Sequence, residues 1–231
     1  MITDLENALL KNAAAFHPVI KFNPASDKII PIDLTSANRE LTAEVVEDTV
    51  LFSEYITDKL KDAGAAFGIG GYNENRTIYR RSELFSNGEE RTIHLGIDIW
   101  GPAGTPVYAA LGGMVHSFAF NNNFGDYGAT IILLHQLETV AFYTLYGHLS
   151  LKDISVIKDG GYITRGEVIG HFGEPAENGD WPPHLHFQVI HDMEFKKGDY
   201  PGVCSVSERE RYLKNCPDPD LILKMMQQAN A

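Results

Sequence analysis

Apolar side chains in the N-terminal part of the chain recur at helical spacing. Residues 3 to about 16 show this pattern, and Thr3 followed by Glu6 is a pair typical of a capped helix start. A longer amphipathic pattern over residues 42–63 ends at Gly64, which predicts a second helix. The residues between these helices carry three prolines, which indicates short extended pieces and turns. We therefore expect residues 1–66 to form a helical N-terminal extension.

The hydrophobic pattern changes after a polar, loop-rich stretch at residues 67–90. Short apolar runs then alternate with Gly, Pro and Asn turns, with no helical segment between them. This predicts a mainly β catalytic domain over residues 67–202, in which an antiparallel sheet folds over on itself as a sandwich or barrel. Weaker helical patterns at 207–214 and 221–228 predict a helical tail over residues 203–231. The strand-like runs are IDIW, GTPVYAA, MVHSFAF, ATIILLH, VAFYTLYGHL, GEVIGHFG and HLHFQVI.

Length and charge narrow the class of protein. The 231 residues, 44% of them hydrophobic, suffice for one sizeable domain with extensions or for two small domains. A net charge of −12 argues against nucleic acids and anionic membranes as partners, because both attract basic proteins. The N-terminus lacks the features of a secretory signal, and no apolar run approaches the ~18 residues of a membrane span, so the sequence predicts a cytoplasmic location. Cys204 and Cys216 are expected to be reduced, with a single disulfide as the alternative.

Three histidine motifs in the β-rich part of the chain suggest a metal site. In the strand-like run HLHFQVI, His184 and His186 point to one face and are about 7 Å apart along the backbone, so both can reach one ion and its water. His94 and Asp98 would lie ~13 Å apart on a straight strand and can share that ion only if the chain bends, which Gly96 permits. The alternative is that the H-x-H pair is simply two surface histidines.

A site of this composition can hydrolyse an amide bond. His94, Asp98 and one imidazole of the H-x-H pair would bind zinc, which lowers the pKa of its water towards ~7. The other imidazole and His148 would remain as a general base and as a donor to the developing oxyanion.

The motifs together resemble the catalytic domain of lysostaphin/LytM-type zinc metallopeptidases, which are cell-wall endopeptidases. The resemblance rests on HLGIDIWGPAGTPVYAALGGMV, YGHLS, VIKDGGYITRGEVIGHFG and HLHFQV, in that order, over roughly residues 90–192. It implies a compact antiparallel β-fold (duplicated hybrid motif type) with the active site in a groove. It also implies that His94, Asp98 and His186 bind Zn²⁺ and that His148 and His184 are catalytic.

Two departures from the family pattern bear on the substrate. Trp181, beside two prolines, replaces the small residues usual before H-x-H, and Gln188 stands where a glutamate is common. The segment WPPHLHFQ, together with GGYNENRTIY and the Cys-Pro-Asp-Pro sequence of the tail, also resembles a peptidase-like segment fused to aminotransferases in some multidomain proteins. This resemblance implies a small intracellular amide substrate. Candidate groove residues are Tyr146, Trp181, Asn73, Asn75 and Tyr79, together with Arg76 and Arg80. Tyr146 shares a face with His148 if that segment is extended, and the alternative is a packed tyrosine. For the candidates within residues 67–90 the alternative is an ordinary solvated loop.

The expected function is a zinc-dependent endopeptidase acting on a peptide or small amide. The substrate would be a cell-wall-type or other small-residue peptide. Alternatives are an intracellular small-amide hydrolase, or a non-catalytic or latent peptidase-like binding module. Latency could arise if the N-terminal helices gate the site, or if the amide of Asn73 or Asn75 occupies the open metal position.

Overall fold

A computed structural model describes residues 2–86 and 88–229. Strands dominate and the helices are short, which confirms the predicted mainly β class. The helices are α1 (Asp4–Lys11), α2 (Ala43–Glu47), α3 (Thr49–Ala63), α4 (Leu151–Ile154), α5 (Arg209–Asn215), α6 (Asp220–Leu223) and α7 (Met226–Ala229). The strands are β1 (Ile29–Pro31), β2 (Phe67–Gly70), β3 (Arg91–His94), β4 (Ile97–Trp100), β5 (Pro106–Tyr108), β6 (Gly113–Asn121), β7 (Gly128–Leu137), β8 (Val140–Leu149), β9 (Tyr162–Ile163), β10 (Val168–His171), β11 (His184–Ile190) and β12 (Val203–Ser205).

One large sheet carries most of the strands in the order β1-β2-β4-β11-β8-β7-β6-β9. Its pairs are antiparallel except for β1 and β2, which are parallel, so the sheet is mixed rather than purely antiparallel. Two small sheets, β10 with β5 and β12 with β3, complete the β-structure.

Strand β2 lies where the sequence predicted a loop. Its two glycines hide the strand signal, and both are required by close packing. A Cβ at Gly68 would lie 2.6 Å from Ile32 Cγ1, and one at Gly70 would lie 2.5 Å from the Ile32 carbonyl oxygen. The strand pairs with β4 and thereby connects the N-terminal segment to the main sheet.

Most of the predicted helix ends are confirmed, but one predicted helix is divided into two. Thr3 and Glu6 form the expected capping box at α1. The helix predicted over 42–63 is interrupted at Asp48, whose carboxylate accepts hydrogen bonds from the backbone N–H groups of Val50 and Leu51 and so begins a new helix, α3. Gly64, with φ of 60°, ends α3 as predicted.

The N-terminal segment packs into the same core as the sheet. Leu5, Leu9, Val19, Ile20 and Ile29 are buried in one cluster with side chains of β4, β7, β8 and β11. Because β1 belongs to the main sheet, this segment is also not helical throughout.

Both cysteines are buried free thiols. No helix in the described part of the chain is both long enough and apolar enough to span a membrane.

Candidate active site

The chain turns between β3 and β4, and this turn brings His94 and Asp98 together. His94 ends β3, Leu95 and Gly96 make the bend, and Asp98 is the second residue of β4. The distance from His94 Nε2 to Asp98 Oδ1 is 3.3 Å instead of the separation that a straight strand would impose. The bend expected from the sequence is therefore present.

Strand β11 supplies the third member of the cluster. His186 is the direct partner of Asp98 in the β4–β11 pairing. Its Nδ1 lies 3.0 Å from Asp98 Oδ1 and 3.0 Å from His94 Nε2. Three donor atoms thus form a triangle with edges of 3.0–3.3 Å.

The role of Gly96 is to leave room for His186. A Cβ at position 96 would lie 2.5 Å from His186 Nε2 and 2.9 Å from the carbonyl oxygen of Phe187. The sequence indicated a glycine that lets the chain bend, whereas the structure shows that the glycine is needed for the close approach of an imidazole.

Hydrogen bonds fix which ring nitrogen of each cluster histidine is free. His94 Nδ1 donates to the Gly71 carbonyl oxygen, 3.0 Å away, which leaves the Nε2 lone pair facing the cluster. His186 is held in the opposite sense, because its Nε2 lies 2.9 Å from Gln188 Oε1. The Gln188 amide nitrogen donates to the Pro201 carbonyl oxygen and to Cys216 Sγ, so the amide oxygen must face His186. His186 Nδ1 is therefore the unprotonated nitrogen.

His148 and His184 lie beside this cluster. Their ring centroids are 4.0 Å apart, and His184 Nε2 lies 4.0 Å from Asp98 Oδ1. Each donates its Nδ1–H to a backbone carbonyl oxygen at 2.7 Å, His148 to Asn178 and His184 to Pro182. Both Nε2 atoms are consequently free lone pairs, and both rings can accept a proton.

A left-handed backbone conformation places His148 on the site face of the sheet. Its φ is 61°, at the end of β8, where the alternation of side chains is broken. Tyr146, which the sequence placed on the same face as His148, instead packs in the core against Phe187, with its hydroxyl accepting from the Ala110 N–H. Of the two roles that the sequence left open for Tyr146, the structure shows the packed tyrosine.

Burial sets the charge of these side chains. The loss of hydration lowers the pKa of His94 and of His184 to about 4, and it lowers the pKa of His148 as well. Burial opposes ionisation of Asp98, but its contacts with His94, Arg76 and His186 hold the pKa of that carboxyl well below its usual range. The site thus combines an ionised carboxylate with neutral imidazoles that have free lone pairs.

The five side chains face a cavity of about 120 Å³. The three cluster residues are only 1–3% exposed. Apolar residues of the N-terminal half line part of the cavity wall, and we call this group the cover: Leu34, Phe52, Ile78, Leu84 and Phe85. Sites for drug-sized ligands usually enclose ~300–1,000 Å³, so this cavity has room only for a small group unless the cover moves.

Some of the groove residues expected from the sequence line the cavity and others do not. Trp181, Tyr79 and Arg76 line it. Asn75 is exposed on the outer surface, and the Asn73 amide oxygen accepts a hydrogen bond from Arg209 Nε, so neither amide occupies a metal position. Arg80 is also exposed and pairs with Glu90, outside the cavity.

Two aromatic residues near the cluster were missed in the sequence. Trp100 stacks on His184 with ring centroids 5.8 Å apart, and it could have been found because it lies two residues after Asp98 on the same face of β4. Tyr127 places its hydroxyl 3.5 Å from His186 Nε2, and no periodic pattern in the sequence points to it.

The donor set fits a zinc ion. Zinc prefers imidazole and carboxylate ligands at 2.0–2.2 Å in a tetrahedron, whose edges are then about 3.3–3.6 Å. Observed edges of 3.0–3.3 Å need only a small expansion to accept the ion. His94, Asp98 and His186 could therefore hold a metal and leave a fourth position towards the cavity.

Sequence comparison assigns this region to a known family. Residues 92–198 match Peptidase family M23, and this range includes all five side chains of the candidate site. The chain carries an M23 peptidase domain. The family resemblance predicted from the sequence is thereby confirmed.

Curated relatives of this M23 domain are endopeptidases. The chain is 34% identical over 126 residues to the DD-carboxypeptidase/endopeptidase Mpg of Neisseria meningitidis, which covers 52% of this chain and 26% of the relative. It is 30% identical over 132 residues to an L-Ala–D-Glu endopeptidase of Bacillus subtilis, which covers 54% of this chain and 38% of that protein. The chain thus spans well under half the length of either relative.

Among solved structures, the catalytic domain of lysostaphin from Staphylococcus simulans is 25% identical, with a TM-score of 0.39. That match covers 62% of this chain and 98% of the lysostaphin domain.

Proposed function

We propose that this chain is a zinc-dependent peptidase or amidase in which His94, Asp98 and His186 hold the metal. The convergence of the three donor atoms carries the proposal. Each histidine of the trio has one nitrogen committed to a hydrogen-bond acceptor outside the cluster, so the other is available to a metal. Hydrogen-bonded ligands of this kind are a regular feature of metal sites in proteins. A purely structural cluster would not require both lone pairs to face the same carboxylate.

The chemistry of hydrolysis would be divided between the ion and the two remaining histidines. A bound zinc ion supplies Lewis-acid activation of water and of the scissile carbonyl. His184 Nε2 lies next to Asp98 Oδ1 and is the base that takes the proton of the attacking water. The Nδ1–H bond to Pro182 orients this ring and supports the positive charge that it gains.

His148 would act in the second proton transfer. Its ring contacts that of His184, and two charged imidazoles in contact in a buried site would repel each other strongly. The pair therefore holds one proton at a time. We propose that His148 donates a hydrogen bond to the oxyanion or to the leaving amine only when the shared proton resides on it.

The shape of the cavity favours a short substrate. Its walls are mostly aromatic and aliphatic, and the cover separates the metal ligands from solvent. A cross-linked polymer could reach the ligands only if the cover moved aside, whereas a small peptide or amide needs less opening. We therefore propose short peptides with small residues, including wall-type peptides, as the substrate class. The same closure favours a second candidate, a latent peptidase whose cover must be displaced first.

Hydrolysis of a peptide panel tests the proposal. The panel contains wall-type peptides, oligoglycine and small amides, and is given to zinc-loaded and chelator-treated protein. We expect cleavage that requires zinc and that is lost in His186→Ala, while His191→Ala, at an exposed histidine outside the cavity, behaves as wild type. Failure of the wild-type chain to bind zinc would refute the proposal. Cleavage that starts only after limited proteolysis within residues 32–85 would support latency.

A further inference from the structure

Arg76 is a buried cation whose hydrogen-bonding capacity is only partly used. Its side chain is 1% exposed and lines the cavity. Nη1 donates to Asp98 Oδ2 at 2.5 Å and to the Tyr79 hydroxyl at 3.2 Å, and Nε donates to Glu74 Oε2 at 2.6 Å. Within residues 2–86 and 88–229, no group accepts a hydrogen bond from Nη2. A guanidinium has five N–H groups, so two of them remain free next to the candidate metal site.

Unpaired N–H groups of a charged side chain are costly in a buried position, and proteins rarely retain them without a partner. The free nitrogen belongs to the guanidinium whose Nη1 holds Asp98, and Arg76 is one of the residues that line the cavity. A ligand atom is the partner that the protein itself does not provide.

Local charge specifies an anion as that partner. The Arg76 guanidinium is a fixed cation, and its Nη1 and Nε already pair with the carboxylates of Asp98 and Glu74. A carboxylate is the acceptor that suits the free Nη2 best, because a hydrogen bond between two charged groups is roughly twice as strong as one between neutral groups.

Other described positions on the wall do not offer an equivalent site. Arg91 also lines the cavity, but its Nη2 donates to the Leu84 carbonyl oxygen and its guanidinium lies over the Phe85 ring. On the Tyr127 side the lining includes Asp126 and Asp199, which would repel a carboxylate.

We propose that Arg76 is a specificity-determining residue that binds a carboxylate of the substrate beside the scissile bond. The enzyme would thus select short peptides with a free carboxylate over their neutral counterparts. The catalytic part of this inference rests on the proposed function, but binding of the carboxylate does not, because Arg76 is present with or without zinc.

Tryptophan fluorescence provides a direct binding test. The chain has two tryptophans, Trp100 and Trp181; both line the cavity, and the Arg76 guanidinium lies 5.8 Å from the Trp100 ring centroid. The full-length protein is titrated with N-acetylglycine and with N-acetylglycinamide, which differ mainly in charge. The titrations are made after chelation, so that the metal cannot bind the carboxylate, and again with zinc. We expect the carboxylate to bind at least about tenfold more tightly than the amide in both states.

Variants separate recognition from a structural role. Arg76→Lys keeps a positive charge but loses the planar guanidinium with its parallel N–H donors. The affinities for N-acetylglycine and N-acetylglycinamide should therefore differ by no more than about threefold. Arg80→Lys, at the exposed residue paired with Glu90, is the matched control and should keep the wild-type ratio. Glu74→Gln keeps an acceptor for Arg76 Nε and removes one negative charge, so carboxylate binding should tighten about two- to fivefold.

Equal binding of the acid and the amide by the wild-type protein would overturn the proposal, as would an unchanged ratio in Arg76→Lys. If Arg76→Lys does not fold, the Glu74→Gln variant is the test of the proposal. Unchanged or weaker carboxylate binding in Glu74→Gln would count against it. Selective binding without any hydrolysis would refute the proposed function alone.

Discussion

Replacing Gly96 by alanine is a small change that should damage the metal site. The new methyl carbon would lie 2.5 Å from His186 Nε2 and 2.9 Å from the Phe187 carbonyl oxygen. Unstrained contacts between non-bonded carbon atoms are about 3.5–4.0 Å, so the imidazole must recede by roughly 1 Å. The carbonyl belongs to the buried strand β11 and cannot move easily, so most of the shift falls on the ring.

A displacement of that size exceeds what a metal site tolerates. Ligand distances in working sites stay within about 0.2 Å of their ideal values. Moving the ring also breaks the bond from His186 to Gln188, and losses of such supporting contacts usually weaken metal binding by about 10–100-fold. At saturating zinc, the free energy by which zinc stabilises the folded chain therefore falls by about 1.4–2.7 kcal/mol. For a chain of this length we expect the zinc-induced rise in Tm to shrink by roughly 3–10 °C.

The assay is the zinc dissociation constant from competition with a chromogenic chelator, together with thermal unfolding with and without zinc. Gly104→Ala is the matched control, because Gly104 is exposed and has φ of 78°. Apart from its immediate chain neighbours, no atom of the described residues lies within 4 Å of the position that its Cβ would take. This variant should lose about 1–3 kcal/mol of folding stability through backbone strain and keep its zinc affinity. Wild-type zinc affinity in Gly96→Ala would refute the reasoning.

Three further outcomes are expected. Gln188→Leu should weaken zinc binding about 10–100-fold in the same chelator competition, because His186 Nε2 loses its acceptor, whereas Gln188→Glu should retain most of the affinity. Deleting residues 1–66 should prevent folding, as judged by circular dichroism. Burial of Leu5, Leu9 and Ile20 alone stabilises the fold by about 5–9 kcal/mol, and the whole free energy of unfolding of a domain is only about 5–15 kcal/mol. A folded product would contradict the shared core. Chelation of zinc should lower Tm and re-addition should restore it, because zinc at 100 times its dissociation constant adds about 2.7 kcal/mol to the free energy of unfolding. An unchanged Tm would show that the cluster binds no zinc.

The strands and the candidate site could be predicted because their signals are local. The alternation in HLHFQVI places His184 and His186 on one face whatever the rest of the chain does. The histidine and aspartate of HLGID needed only a bend, and a glycine stands where the bend occurs.

The features that the sequence did not reveal depend on tertiary packing. His148 reaches the site with a φ of 61°, whereas Tyr146, two residues earlier on β8, packs in the core. Asn73 likewise has a positive φ and turns its amide towards Arg209. The cover is formed by residues far apart in sequence, such as Leu34 and Phe85, whose apolar character alone indicates nothing about what they enclose.

The central claim is that the chain hydrolyses amide bonds with zinc held by three residues and a proton taken by His184. It is tested most directly by comparing wild type with His184→Ala at equal measured zinc content on the peptide panel. We predict that the variant binds zinc as tightly as wild type, within about threefold, and that its kcat falls by about 10²–10⁴-fold. Equal turnover by the two zinc-loaded proteins would contradict the account.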